Sequence, residues 1–222
     1  MTANIIDGAL IAEKLRADIK LRAAAFTGEM GYPPGLGAVF AGDNPASAQY
    51  VRMKRRACEQ VGIYSVAHLM PDTCTQEEVE AAVKLLNDDP RIHGILVQLP
   101  LPKQIDEEAV LRRVSLDKDV DGFHPVNIGL LGMKGREPTF TPATPTGCMV
   151  LLESAGVNLE GANAVVIGRS NIVGLPVALM LMKANATVTV CHSRTRDIAH
   201  HVREADVVVA AIGKPHFVQG AG

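Results

Sequence analysis

The sequence predicts an α/β protein made of two α/β lobes. Short apolar runs rich in β-branched residues alternate with helical stretches along the chain, an order typical of βαβ units with parallel strands. The 222 residues are 47% hydrophobic and 21% charged, the composition of a globular chain long enough for two small cores. The segment 130–145 is rich in Gly, Pro and Thr and has no period, so we interpret it as the crossing between the lobes.

The first lobe is predicted to span residues 1–140. Asn44 and Pro45 indicate an N-cap followed by a proline in the first turn of a helix. Thr75 and Glu78 form a capping-box pattern, after which apolar residues repeat on one helical face. The predicted elements are strands at 35–42, 64–69 and 93–102, with helices at about 46–62, after Thr75 and at about 106–114, before the loop DKDVDGFHPVNIG.

The second lobe is predicted over residues 141–222 and repeats the same alternation. Thr144 and Pro145 begin a helix that runs to about 155. The elements predicted after it are strands at 162–167, 187–191 and 207–212, with helices at 172–184 and about 195–203. Strands separated by such helices indicate a second parallel sheet.

Charge, hydropathy and cysteine usage exclude several classes of protein. The 22 Lys and Arg residues against 24 Asp and Glu give a net charge of −2, which argues against a nucleic-acid binder. No apolar run reaches the roughly 18–20 residues that a membrane span needs, and no secretory signal is visible at the start. The four cysteines are far apart and form no CxxC pair, so we expect reduced thiols in a cytoplasmic protein and no metal site.

A glycine-containing turn in the second lobe is the candidate nucleotide site. Gly168 ends a β-branched strand, and the helix after it offers free N–H groups to a phosphate. Ser170 takes the place of the middle glycine of a GxGxxG pattern and Gly174 follows, so a βα turn without a ligand is the alternative. The next strand is followed by Ser193, with Arg169 in reach and no carboxylate, which favours NADP over NAD.

Three polar features stand out in the first lobe. Tyr50 and Lys54 are four residues apart and share a helical face, either as part of a solvated helix or as a stacking ring beside a lysine whose pKa is lowered by partial burial. Gln98 lies at the carboxyl end of a buried strand, as a structural amide or a ligand-binding one. Asp121 lies on a turn, where a turn-forming aspartate is the alternative to a binding group.

Together these segments resemble the bifunctional methylenetetrahydrofolate dehydrogenase/methenyltetrahydrofolate cyclohydrolase family. The matching stretches, in chain order, are GDNPASAQYVRMK, GILVQLPLP, KDVDGFHPVNIG, TPATPTG, VVIGRSNIVGLP, NATVTVCHS and ADVVVAAIGKP. The resemblance implies an N-terminal folate-binding lobe, a Rossmann-like NADP lobe and an active-site cleft between them. Members of the family continue with another strand, a Pro-Gly-Gly-Val-Gly-Pro-Met-Thr loop and a helix, so it also implies that the second lobe is truncated at its C-terminal end.

The resemblance assigns roles to individual positions. Lys54 matches the catalytic lysine, Tyr50 the stacking tyrosine, Gln98 the amide partner of the lysine and Asp121 the carboxylate that holds the pterin. The implied substrate-binding positions are Tyr50, Lys54, Val97, Gln98, Leu99 and Asp121. The implied cofactor positions are Gly168, Arg169, Ser170 and Ser193.

The implied function is the NADP-dependent oxidation of 5,10-methylenetetrahydrofolate to 5,10-methenyltetrahydrofolate, followed by its hydrolysis to 10-formyltetrahydrofolate. The alternatives are a monofunctional dehydrogenase and a truncated chain that binds nucleotide without turnover. The resemblance further implies a cytoplasmic homodimer whose one-carbon products serve purine biosynthesis, with no nucleic-acid or membrane partner.

Overall fold

The computed structural model describes residues 3–43 and 45–219, without the side chains of 45–48. The chain divides into two compact units, with one spanning Asp7–Pro125 and the other built on the residues from Val126 onward. The predicted domain boundary between residues 140 and 141 stays a prediction. The predicted cleft between the lobes also stays a prediction.

The first unit is a parallel three-stranded sheet with helices packed on it. Its elements are α1 (Gly8–Met30), β1 (Gly35–Ala41), α2 (Pro45–Val61), β2 (Tyr64–Met70), α3 (Gln76–Asp88), β3 (Gly94–Val97) and α4 (Glu107–Arg113). The strand order is β2-β1-β3, and both neighbours run parallel to β1. The central strand therefore lies between the two strands that follow it in the chain.

Helix α3 shows how the local sequence builds this unit. Thr75 and Glu78 form the predicted capping box, in which each side chain accepts a hydrogen bond from the other residue's backbone N–H. The predicted apolar face of the helix packs against buried residues of β1 and β3, among them Val39 and Ile95. The buried residues of this helical face are Val79, Ala82, Val83 and Leu86.

The second unit contains another parallel three-stranded sheet. Its elements are α5 (Pro125–Leu131), α6 (Ala143–Ser154), β4 (Asn163–Ile167), α7 (Gly174–Lys183), β5 (Thr187–Cys191), α8 (Ile198–Arg203) and β6 (Val207–Ala210). The strand order is β5-β4-β6. Val177 of α7 packs with Val166 in one cluster, whereas α8 packs with Val165 and Ile167 in another, so the helices cover opposite faces.

The α/β class with parallel sheets is confirmed, and three local predictions are corrected. The strand predicted at 93–102 ends at Val97, ahead of Pro100 and Pro102. These prolines lack the N–H that pairing with a neighbouring strand requires. The predicted loop after α4 contains α5, which starts with a proline in its first turn. Helix α1 was not predicted at all. The predicted N-cap Asn44 lies outside the described residues.

Among the described helices, none is both long and apolar enough to cross a membrane. The described residues also contain no group of three or more His, Cys, Asp or Glu side chains placed to hold a metal ion.

Candidate functional site

Each sheet has a topological switch point at its central strand. In the first unit the chain passes from β1 to β2 on one side and then returns to place β3 on the other. In the second unit β5 and β6 flank β4 in the same way. Ligands of open parallel sheets bind outside the carboxyl ends of the strands at such points. The predicted site residues lie at these two positions.

At the first switch point, the structure brings Lys54 and Gln98 together. Lys54 lies on α2, and its Nζ donates a hydrogen bond of 3.2 Å to Gln98 Oε1. Gln98 follows the last residue of β3, and its backbone N–H donates to Val39 O of β1 at 2.9 Å. Its side-chain Nε2 donates to Leu99 O at 2.9 Å, which leaves Oε1 facing the lysine. The amide is thus held by the strand end and orients the ammonium group.

Asp121 shares the electrostatic environment of Lys54. Its carboxyl is half-buried, and its pKa is raised from 3.8 to about 6, mainly because burial disfavours the charged form. The Lys54 ammonium lowers this pKa, whereas the neighbouring Asp119 carboxylate raises it. Burial and the second carboxylate together outweigh the attraction of the lysine. Asp121 therefore titrates close to neutral pH.

The structure corrects one prediction about this region and gives the positions of two other predicted residues. The side chain of Lys54 is exposed, so the partial burial predicted for it is wrong; the residue lies on the solvent side of α2, whereas Val51 and Cys58 are buried. Tyr50 lies on the same helix and is also exposed, as a ring available for stacking must be. Val97 is buried in the hydrophobic core, and its side chain is directed there.

At the second switch point, two glycines allow an unusually close turn. Gly168 follows β4 with φ +120°, and a Cβ on it would lie 2.3 Å from Ala211 O, just after β6. A Cβ on Gly174, the first residue of α7, would lie 2.3 Å from Gly168 O. Only glycine fits at either position. The turn thereby brings the N-terminus of α7 against the strand ends, the arrangement that binds a pyrophosphate in dinucleotide sites.

The other predicted cofactor positions lie at the same edge of the sheet. Ser170 Oγ accepts from the N–H groups of Val173 and Gly174, at 3.2 and 3.4 Å, and so holds the start of α7. Arg169 and Ser193 are exposed and follow the neighbouring parallel strands β4 and β5. The residues directly after β5, from 192 to 196, include no carboxylate, so an exposed arginine and hydroxyl are available for a 2′-phosphate. The residues present fit a dinucleotide with that phosphate.

A further carboxylate, Asp119, lies near Asp121 and is not among the residues that the sequence patterns indicate. Asp119 is buried, and its carboxylate accepts from the backbone N–H groups of Phe123 and His124. The available signal was the spacing of two aspartates in KDVDG, where one of them can close an Asx-type turn while the other remains available.

Two models of known protein families match most of the chain. Residues 6–121 match the model of the tetrahydrofolate dehydrogenase/cyclohydrolase catalytic domain. Residues 142–221 match the model of the NAD(P)-binding domain of the same group.

Individual relatives agree with these matches. The chain is 56% identical over 218 residues to Bifunctional protein FolD 2 of Geobacter metallireducens, which covers 98% of this chain and 75% of the relative. It is 53% identical over 220 residues to Bifunctional protein FolD of Moorella thermoacetica, covering 99% of this chain and 78% of the relative.

Solved structures are similar in fold over nearly the whole chain. The Trypanosoma brucei N5,N10-methylenetetrahydrofolate dehydrogenase-cyclohydrolase, complexed with NADP cofactor and inhibitor, superposes with a TM-score of 0.93 at 40% identity, covering 97% of this chain and 74% of that one. The bifunctional FolD enzyme from Campylobacter jejuni gives 0.89 at 43% identity, with coverages of 95% and 74%.

Proposed function

The chain belongs to the tetrahydrofolate dehydrogenase/cyclohydrolase family, and from that premise we propose that its folate chemistry takes place around Lys54. The enzyme is bifunctional. It oxidises 5,10-methylenetetrahydrofolate to 5,10-methenyltetrahydrofolate with NADP, and it hydrolyses the methenyl compound to 10-formyltetrahydrofolate.

The observation that supports this site is the 3.2 Å hydrogen bond from Lys54 Nζ to Gln98 Oε1. In the hydrolysis step, water attacks the methenyl carbon and must lose a proton. A lysine nitrogen held at a fixed position relays that proton, releasing one of its own as it takes up the one that water loses, and such a role contributes about 10²–10⁴-fold to a rate. Gln98 orients the nitrogen through a neutral acceptor, so the hydrogen bond that holds the lysine in place is not made by a carboxylate.

Asp121 has a different proposed role, which is to hold the pterin ring. An ionised carboxylate accepts hydrogen bonds from the N–H groups of a pterin, and such charge-assisted bonds are the stronger kind. Because the pKa of Asp121 is raised to about 6, the carboxylate is mostly ionised at neutral pH and loses its charge in mild acid. Tyr50 offers an exposed ring beside Lys54 for stacking on the flat ligand.

The second unit is proposed to bind NADP, which supplies the hydride acceptor of the oxidation. The turn from Gly168 to Gly174 holds the pyrophosphate against the start of α7, while Arg169 and Ser193 bind the 2′-phosphate. Hydride transfer mainly requires alignment of donor and acceptor, so these residues act by positioning and by excluding alternative geometries.

We further propose a homodimer in the cytoplasm whose one-carbon products serve purine biosynthesis. The four cysteines are free, and three of them are buried, which agrees with a reducing compartment.

The proposed function is tested by two spectrophotometric assays of the purified chain. One assay follows oxidation of 5,10-methylenetetrahydrofolate with NADP or with NAD, and the other follows hydrolysis of 5,10-methenyltetrahydrofolate with no dinucleotide present. We expect both activities, with NADP preferred. Oxidation without hydrolysis would instead show a monofunctional dehydrogenase, and NADP binding with neither activity would show a non-catalytic chain.

A further inference from the structure

The turn that carries Asp121 is held by the buried carboxylate of Asp119, a residue to which the proposed function gives no role. Only 4% of the surface of Asp119 is exposed. Its Oδ1 accepts a hydrogen bond from Phe123 N at 3.3 Å, and its Oδ2 accepts one from His124 N at 2.9 Å. Both oxygens therefore bind the far end of the turn, with Asp121 between the two anchored ends.

Asp119 is also tied directly to the strand that leads into the site. It forms a parallel bridge with Ile95 of β3. Because the bridge is parallel, the chain leaves Asp119 in the direction in which β3 runs, toward Gln98. Asp121 is two residues further along, inside a turn closed by the 3.0 Å hydrogen bond from Gly122 N to Asp119 O, and it is near enough to Lys54 for the ammonium to lower its pKa.

Separate contacts hold the segment on either side of Asp119. Lys118 Nζ donates hydrogen bonds to three backbone oxygens at and after the end of α3, at 2.7 to 3.2 Å. Val120 packs against Gly94, where a Cβ would lie 2.4 Å from Val120 Cγ1. These contacts do not involve the Asp119 carboxylate, so a change in that carboxylate acts mainly on the turn that follows.

We propose that Asp119 is a positioning residue for the folate chemistry, whose buried carboxylate holds the 119–124 turn so that the Asp121 carboxylate lies near Lys54. This inference rests on the proposed role of Asp121. Two charged groups act on Asp121, namely Lys54 from α2 and Asp119 from its own turn. Asp119 raises the pKa of Asp121 while Lys54 lowers it, so Asp119 influences both the placement and the ionisation of its neighbour.

The test uses two neutral variants and one matched control. Asp119→Asn removes the charge and replaces one acceptor oxygen by a donor, whereas Asp119→Ser removes the charge but keeps a short hydroxyl acceptor for the turn. Asp117→Asn removes the same charge from an exposed aspartate two residues earlier. KM, kcat and the pH profile of kcat/KM are measured for the oxidation, together with thermal unfolding.

We expect Asp119→Asn to raise the KM for 5,10-methylenetetrahydrofolate about tenfold, the effect of losing about one charge-assisted hydrogen bond, with the KM for NADP unchanged. In both neutral variants the acid limb of the pH profile should move to lower pH, because the negative charge of residue 119 no longer raises the pKa of Asp121. Asp119→Ser should change KM at least as much as Asp119→Asn, because its shorter hydroxyl lies farther from Phe123 N and His124 N than the amide oxygen that asparagine keeps. Asp117→Asn should match the wild type.

The proposal is overturned if both neutral variants keep the wild-type KM and acid limb. It is also overturned if all kinetic constants fall by one common factor with an unchanged pH profile, or if neither neutral variant folds, since Asp119 would then be a structural residue. Failure of the proposed function is seen separately, as a folded wild-type chain with no folate turnover.

Discussion

The two units share one sheet topology but differ at its switch point, where the first has polar side chains and the second a tight glycine turn. At the end of β3, the proposed chemistry depends on side chains: the ammonium of Lys54 and the amide of Gln98 meet at 3.2 Å, and the titratable carboxylate of Asp121 interacts with the lysine. At the end of β4, the proposed chemistry depends on the backbone. Gly168 and Gly174 leave no room for a Cβ, and the turn brings a helix N-terminus to the strand ends.

If the proposed sites are correct, this difference explains how two equivalent positions in one fold bind different ligands. A reacting carbon needs groups that accept and donate protons, so the first switch point carries titratable side chains on a helix and a strand end. A pyrophosphate needs N–H donors at close range, and at the second switch point Gly168 and Gly174 leave no room for a Cβ between the strand ends and the helix N-terminus. Substitutions at one position should therefore affect one ligand and spare the other.

The largest effect is expected from Lys54→Met. The variant keeps the length and apolar stem of the side chain but has no proton-accepting nitrogen, so hydrolysis of 5,10-methenyltetrahydrofolate should fall by about 10²–10⁴-fold. NADP affinity, measured by titration calorimetry, should be unchanged. Arg56→Met, an exposed cation on the same helix, is the matched control and should retain full hydrolysis. Normal hydrolysis by Lys54→Met would show that the assigned role is wrong.

The next largest effect is expected from Gly168→Ala. At φ +120°, with a Cβ placed 2.3 Å from Ala211 O, the substitution strains the backbone and forces the turn open. We expect a loss of about 2–3 kcal/mol in the free energy of unfolding and a loss of NADP binding. Gly147→Ala, where a Cβ has open space within α6, is the control and should be neutral or slightly stabilising. Unchanged NADP affinity in Gly168→Ala would show that the dinucleotide does not bind at this turn.

Asp121→Asn should separate activity from stability. The folded pKa of about 6 exceeds the ordinary 3.8, so the ionised carboxylate lowers the stability of the folded state. That cost is absent below about pH 4, grows as the pH rises and is complete above about pH 6. It amounts to about 3 kcal/mol at most. The variant should therefore unfold at a higher temperature than the wild type at pH 8, with no such gain at pH 3.5, while folate KM rises. A gain that is independent of pH would contradict this assignment.

The smallest effect is expected from Ser193→Asp. A carboxylate after β5 repels a 2′-phosphate and accepts hydrogen bonds from a free ribose, so the ratio of kcat/KM for NADP over NAD should fall about tenfold or more. Hydrolysis of 5,10-methenyltetrahydrofolate in the same preparation serves as the internal control and should not change. An unaltered NADP preference would place the 2′-phosphate elsewhere.

Local patterns predicted most of the elements that surround the two sites. Helix α3 was predictable because its apolar residues lie on one face, behind a capping box that is present in the structure. Helix α1 was not, because large apolar residues such as Leu10, Leu15 and Leu21 lie on exposed parts of its surface and only Ala23 is buried. Its sequence therefore has no amphipathic period to detect.

Residue patterns named the candidate site residues one by one, whereas the pairing of Lys54 with Gln98 was predicted by the family resemblance and not by any local pattern. Lys54 and Gln98 are 44 residues apart, and they meet because β3 lies beside β1 rather than beside β2, an order that no local pattern encodes. The burial of Asp119 similarly depends on a bridge to Ile95. The exposure of Lys54 depends on which face of α2 packs on the sheet.

The decisive measurement is a crystal structure with both NADP and a non-reactive folate analogue bound. We expect the pyrophosphate at the Gly168–Gly174 turn, and the pterin within hydrogen-bond distance of Asp121 with its one-carbon position beside Lys54 Nζ. A folate analogue bound away from Lys54 and Asp121, with the dinucleotide in its expected place, would contradict the assignment of chemistry to the first switch point.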